Sequence, residues 1–253
     1  MEMLNPLGMG KQQGGLPKWI NIVGVGKQGK TKTLVELASQ VPIVYFDTDP
    51  LKGTKGYEGY FLQAESYLQF RQKLDEVKNK INKGAKVTAI VIDTFDGLLE
   101  LISDHISATH NNHNFSEIEA NFNGKKGNGW TLYQGMSIDI VSEILTLVPL
   151  LITITHLKQN LVGQPDVVQR KIASIDVRGQ MRSYIYNNCD ANMWTSINWN
   201  QETNKNELQF LTETSDPYFE VEGIGSRYFP GLFDCKNAEG FINYIVNNYK
   251  TQN

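Results

Sequence analysis

Cysteine is nearly missing from this 253-residue chain, which holds only Cys189 and Cys235. Far apart and without C-x-x-C spacing, they exclude a zinc ribbon and a disulfide framework, and they suit a reducing cytoplasm. No apolar run approaches the length needed to cross a bilayer. The opening residues Met1-Glu2-Met3-Leu4-Asn5-Pro6 lack the basic and apolar regions of a secretory signal. The expectation is a cytoplasmic protein with no membrane partner. Positive charge is not in excess either: 24 Lys+Arg stand against 27 Asp+Glu, a net charge of −3. Nucleic-acid binding would therefore need a local patch rather than the whole surface. Repeats at solenoid periods are absent. The length fits one α/β domain, read as residues 17–253 after a Gly- and Gln-rich arm over 1–16.

What the chain does contain is Gly24-Val25-Gly26-Lys27-Gln28-Gly29-Lys30-Thr31, a full match to G-x-x-x-x-G-K-[ST]. It follows the apolar run Trp19-Ile20-Asn21-Ile22-Val23 and precedes the helix-compatible Lys32 to Ala38. A strand before and a helix after is the setting a phosphate-binding loop needs. The glycines let backbone N–H groups converge on phosphates, and the helix adds its positive end. Gly24, Gly26, Gly29, Lys30, Thr31 and Thr33 form the expected nucleotide-binding set. Lys30 would reach the β and γ phosphates of ATP, and Thr31 would place its hydroxyl on Mg²⁺.

Three further strands are legible. Pro42 to Phe46 runs into Asp47-Thr48-Asp49-Pro50, where the proline ends the pairing. Val87 to Ile92, near-continuously apolar like a strand buried on both faces, ends in Asp93. Leu150 to Thr155 ends in His156. Helical periodicity at Tyr67, Phe70, Leu74, Val77 and Ile81, and again at Leu132 through Leu147, separates them. Alternation of this kind implies a mostly parallel sheet flanked by helices. A polar loop is expected from about His105 to Asn128, and its histidines 105, 110 and 113 read as solvated rather than metal-binding. A long polar and basic segment is expected to about Arg182. Ala191–Ile197, Glu207–Thr212 and Tyr218–Val221 read as an antiparallel extension at one edge, before a last helix over Ala238–Tyr249.

Catalysis needs a carboxylate at the metal and a group that orients water. Asp93, at a strand end, fits the metal role, with helix capping as its alternative. Asp49 and Asp47 are candidates for activating water, with turn chemistry as theirs. His156 ends a strand at the edge where ligands of open α/β sheets collect, the place for a γ-phosphate sensor.

In this order, Gly24–Thr31, Tyr45–Asp49, Ile90–Thr94 and Ile152–His156 resemble the RecA-type ATPase core. More narrowly, the chain looks like the small phage-encoded RecA-core ATPases grouped with single-strand annealing proteins, which also carry a segment like Gly127-Asn128-Gly129-Trp130. The resemblance covers about residues 18–235. It implies a RecA-like P-loop fold, ATP and Mg²⁺, a homo-oligomeric ring or filament, and action on single-stranded DNA in recombination or replication. It makes Lys30, Asp49, Asp93 and His156 the catalytic set, with Asp49 standing where the family usually has a longer glutamate.

It also implies DNA-contacting loops near residues 109–130 and 157–182. The second holds Lys158, Arg170, Lys171, Arg178 and Arg182 against Asp166 and Asp176, an excess suited to phosphate backbones. In the first, Phe115, Phe122 and Trp130 are placed to stack on bases. Arg227 is the candidate to reach a neighbouring subunit's γ-phosphate, with a surface ion pair as its alternative. A partition-type ATPase is the competing reading, because Phe46–Pro50 looks like that class. Against it stand Val25, where that class has a lysine, and Thr94-Phe95-Asp96, where it has prolines. A nucleotide-gated assembly module with little turnover also fits the shorter Asp49. No N-K-x-D motif supports a GTPase.

Overall fold

A computed structural model describes residues 15–49, 54–110, 114–118, 128–162, 170–201, 204–212, 219–226 and 237–249. In chain order the elements are β1 (Trp19–Gly24), α1 (Lys30–Ala38), β2 (Ile43–Asp47), β3 (Phe61–Gln63), α2 (Tyr67–Asn82), β4 (Ala89–Asp93), α3 (Phe95–Thr109) and α4 (Asn128–Leu147). They continue with β5 (Leu150–Val162), β6 (Arg170–Ile175), α5 (Gln180–Asn188), β7 (Ala191–Asn200), β8 (Lys205–Leu211), β9 (Phe219–Val221), β10 (Gly225–Ser226) and α6 (Ala238–Tyr249).

The sheet runs β10-β7-β1-β5-β4-β2-β3, and all neighbours from β7 to β3 are parallel. Alternation along each strand decides which layer a side chain joins. Trp19, Val23, Phe46, Ile90 and Ile92 pack beneath α2 through α5. Ile20, Ile22, Tyr45, Val91 and Ile152 point to the other face, beneath α1 and α6. Burial on both faces is why these strands read as unbroken apolar runs. The result is a three-layer, RecA-like P-loop sheet with β5 inserted between the strand that carries the phosphate-loop motif and the strand that ends in Asp93.

Antiparallel pairing is present as β7–β8 and as β5–β6. Yet Ala191–Ile197 is more than an edge strand. As the start of β7 it pairs parallel with β1, Ile20 opposite Ala191. The polar helix α5 returns the chain to the start of the sheet. Its weak stripe, with Met181 and Ile185 its only buried residues, is why the sequence did not announce it. The basic segment before it is likewise no plain loop, because β5 continues to Val162 and turns back as β6. The loop expected from His105 begins later than expected: α3 runs to Thr109 because Ile102 and Ile106 carry the buried stripe one turn further.

Polar groups inside the sheet are satisfied in pairs. Asn21 Nδ2 donates to Asn192 Oδ1 at 2.7 Å, while Thr153 Oγ1 donates to Asn21 Oδ1 at 2.8 Å. Trp19 Nε1 donates to Thr153 Oγ1 at 3.0 Å. This network ties β7, β1 and β5 side by side and fixes their register.

Candidate functional site

The site begins where β1 stops. A Cβ added to Gly24 would lie 1.8 Å from Thr195 Oγ1 and 2.7 Å from Gln28 Oε1, so only glycine fits there. Thr195 reaches in from β7 and lies 3.1 Å from Val23 O and 2.7 Å from Gln28 Oε1, pinning the loop to the sheet. Gly29, at φ +96°, takes the left-handed turn that starts α1.

This helix start differs from others in the chain. α2 is capped by Ser66 and α3 by Thr94, each hydroxyl accepting an N–H of the first turn. α1 has no side-chain cap and no acid in its first turn. Its N–H groups and dipole are left for an anion from outside.

Lys30 is 5 % exposed, and its Nζ donates to the carbonyls of Gly24 at 3.0 Å and Val25 at 2.8 Å. Burial pulls its pKa down to about 8, while Asp93 and Asp96 pull the other way. Thr31 Oγ1 donates to Asp93 Oδ2 at 2.7 Å, and Tyr45 OH donates to the same oxygen at 2.6 Å. Burial raises the Asp93 pKa, and the two hydroxyls oppose it. A carboxylate and a hydroxyl brought together beside an uncapped helix start are hard oxygen donors of the kind Mg²⁺ takes. Thr33 does not line this cleft. It is buried one turn into α1, and its hydroxyl donates to Gly29 O at 3.2 Å.

The strands β2 and β4 end in register, Asp47 opposite Asp93. Asp47 takes the turn role: Oδ1 accepts the Asp49 N–H at 3.1 Å, and Oδ2 accepts the Thr54 N–H at 2.9 Å and its hydroxyl at 2.6 Å. Fully engaged and buried, Asp47 is no candidate for activating water. It presents Asp49 and Lys55 at the cleft instead.

His156 lies where β5 changes partners. It is the last residue opposite β1, facing Gly24, and Leu157 is the first opposite β6. Asp96 holds it twice, Oδ1 accepting the His156 N–H at 3.0 Å and Oδ2 contacting Nδ1 at 2.7 Å. The bond to Asp96 raises the imidazole pKa, against the opposing effect of burial. Nδ1 is thereby engaged, and Nε2 remains the atom available to the cleft. The cleft, about 900 Å³, is bounded by the phosphate loop, Asp49, Lys55, Tyr57, Asp93 and His156.

The residues expected at DNA scatter differently. Lys158 is exposed on the far half of β5, and Arg170 and Lys171 stand on β6 opposite Val162 and Leu161. Arg178 and Trp130 line one small cavity. Phe115 is 8 % exposed and packs under Trp130 and Tyr133, so it plugs the loop rather than offering a face to a base. Phe122, His113 and Arg227 lie outside the described residues. Among the described residues no group of His, Cys, Asp and Glu could hold a metal by itself, and no helix is long and apolar enough to cross a membrane.

Sequence reasoning missed Tyr45, Lys55, Asp96 and Thr195. Only Asp96 left a trace, as a second acid three residues after Asp93.

A search of curated proteins finds no match. Among solved structures, the chain is similar to the flagellar accessory protein FlaH from Methanocaldococcus jannaschii, at 14% identity and a TM-score of 0.35, with 84% of each chain covered. It is also similar to an ATPase from the type III secretion system of pathogenic bacteria, at 11% identity and a TM-score of 0.42, covering 72% of this chain and 53% of that one. The family model described as AAA domain matches residues 17–217. With a phosphate-loop motif seated between β1 and α1 and that match spanning most of its length, the chain belongs to the AAA domain family.

Proposed function

We propose that the cleft binds ATP with Mg²⁺ and hydrolyses it, and that its occupancy governs binding of single-stranded DNA by an oligomer of this chain. The observation that carries the nucleotide half is the uncapped start of α1, with Lys30 and the Thr31–Asp93 pair beside it. The first-turn N–H groups of α1 hold the phosphates, and Lys30 exchanges its two loop carbonyls for phosphate oxygens. Thr31 and Asp93 would hold Mg²⁺, and Tyr45 keeps the Asp93 carboxylate turned toward Thr31. When bound, Mg²⁺ would supply positive charge to offset that of the phosphates. Asp49 orients the attacking water and accepts its proton. Its side chain is shorter than glutamate, which suits slow turnover.

His156 reads the γ-phosphate through Nε2 and passes its position to the β5–β6 hairpin, where Lys158, Arg170 and Lys171 lie. Arg227 would complete the site of a neighbouring subunit in a ring or filament. Recombination or replication, in a phage setting, is the role this reading fits.

The test is equilibrium binding of a fluorescent single-stranded oligonucleotide, with and without ATP·Mg²⁺, at several salt concentrations. Nucleotide-dependent binding with a steep salt slope is expected. His156→Ala should keep ATP binding while severing its link to DNA. ATP binding with no oligonucleotide binding in any nucleotide state would favour a partition-type or protein-directed ATPase.

A further inference from the structure

A second cavity of about 280 Å³ lies between the start of α4 and the turn from β6 into α5. Its walls include Trp130, Tyr133, Gln134, Arg178 and Gln180, and among the described residues no carboxylate lines it. Trp130 is 44 % exposed, although most tryptophans in folded chains are largely buried. Its ring is braced edge-on by Phe115 at 5.0 Å and by Tyr133 at 6.2 Å. A large ring fixed at the surface in this way is a stacking platform whose ordering cost is already met by the fold.

Arg178 brings a positive charge to the same cavity and is exposed. Arg182, one turn on, is already paired, with Nε donating to Val177 O at 3.2 Å and Nη1 3.9 Å from Glu222. The two glutamines add amide donors and acceptors. Together these are the groups that recognise a flat aromatic base joined to an anion, and the Arg178 charge disfavours a cation.

We infer that this cavity binds one unpaired nucleotide, its base stacked on Trp130 and its phosphate on the Arg178 guanidinium. The volume suits a single nucleotide rather than an extended strand, being just under the usual range of ligand sites. Two sources share this chemistry, a residue of a single-stranded nucleic acid and a free mononucleotide. The first rests on the function proposed above; the second does not. The cavity is tied to the ATP cleft through the backbone, since the Asp176 N–H, two residues before Arg178, donates to His156 O at 2.9 Å.

The test uses the full chain with ATP·Mg²⁺, titrated with a short oligo-dT and separately with dTMP. It is joined to photocrosslinking of an oligo-dT that carries one 5-iodouracil. Crosslinking at Trp130 is expected, with oligonucleotide affinity lowered about tenfold by Trp130→Ala and the salt slope reduced by about one by Arg178→Gln. Trp130→Phe should retain most binding, and ATP affinity measured on each variant guards against misfolding. If oligo-dT binds the wild type, leaves Trp130 unlinked and binds both variants equally well, the cavity assignment is overturned while the single-strand reading survives. If oligo-dT never binds but dTMP does, and Trp130→Ala abolishes it, the cavity stands as a mononucleotide site and the single-strand reading falls. Binding of neither overturns both.

Discussion

Helices α2 and α6 close their own beginnings, whereas α1 and α5 leave theirs open. Ser66 accepts the Gln69 N–H and Asn237 accepts the Gly240 N–H, so the orphan donors of α2 and α6 are met within the chain. α1 and α5 instead start at Gly29 and Gly179, both at positive φ and both without a side-chain cap. Each open start lines a cavity, the phosphate-loop cleft in one case and the Trp130–Arg178 cavity in the other. The starts of α3 and α6 border cavities as well and are capped, so the difference lies in the cap: only an uncapped start leaves its first N–H groups to a ligand.

The sharpest way to break this contrast is Lys30→Ala. It removes the one buried cation beside the open start of α1, and ATP affinity should fall at least ~100-fold, about 2.7 kcal/mol, in a titration with a fluorescent ATP analogue. Retained affinity would remove the phosphate-loop assignment.

Next in size is Gly24→Ala, whose methyl must displace Thr195 Oγ1. A loss of about 1–3 kcal/mol in stability is expected from overpacking. Thr195→Ala in the same chain should recover part of it, read as a double-mutant cycle in urea melts; strict additivity would deny the contact.

Ser66→Ala sharpens the contrast from the other side. It should cost about 1 kcal/mol of stability and leave ATP affinity unchanged, because that cap serves only the fold.

The smallest effect concerns His156. Its folded-state pKa is raised, chiefly by Asp96, so the pair's stabilisation is complete below the unfolded value near 6.5 and is lost as pH rises through the raised value. With His156 half-buried the effect on stability is slight. Asp96→Asn should lower the imidazole pKa, observed by NMR titration, and flatten the stability profile over that window.

Much of this was legible in the sequence, because the signals were local. The phosphate-loop motif needs only eight consecutive residues, and strands buried on both faces announce themselves as apolar runs ending in Asp93 and His156. What stayed hidden depends on partners far along the chain. Tyr45 looks like any core aromatic until β2 and β4 pair in register and bring its hydroxyl to Asp93. Thr195 sits 171 residues after Gly24, and no spacing rule connects them. Asp47 and Asp49 are equivalent as letters. The turn after β2 separates them: Asp47 accepts the Asp49 and Thr54 N–H groups, while Asp49, past the strand end, lines the cleft. Phe115 and Trp130 are both loop aromatics in sequence, and only packing assigned one to the interior and the other to the surface.

The thirteen residues of β5 belong to two sheets in turn, with His156 as the point of transfer. From Leu157 to Val162 the strand extends ~20 Å past the block of parallel strands that clamps its first half. Such an arm magnifies motion at its base: a tilt of ~5° at His156 displaces the hairpin end by ~2 Å over that length. Were the exchange of one hydrogen-bond partner at the imidazole to tilt the strand by that much, the far end would shift by a distance comparable to the width of an atom.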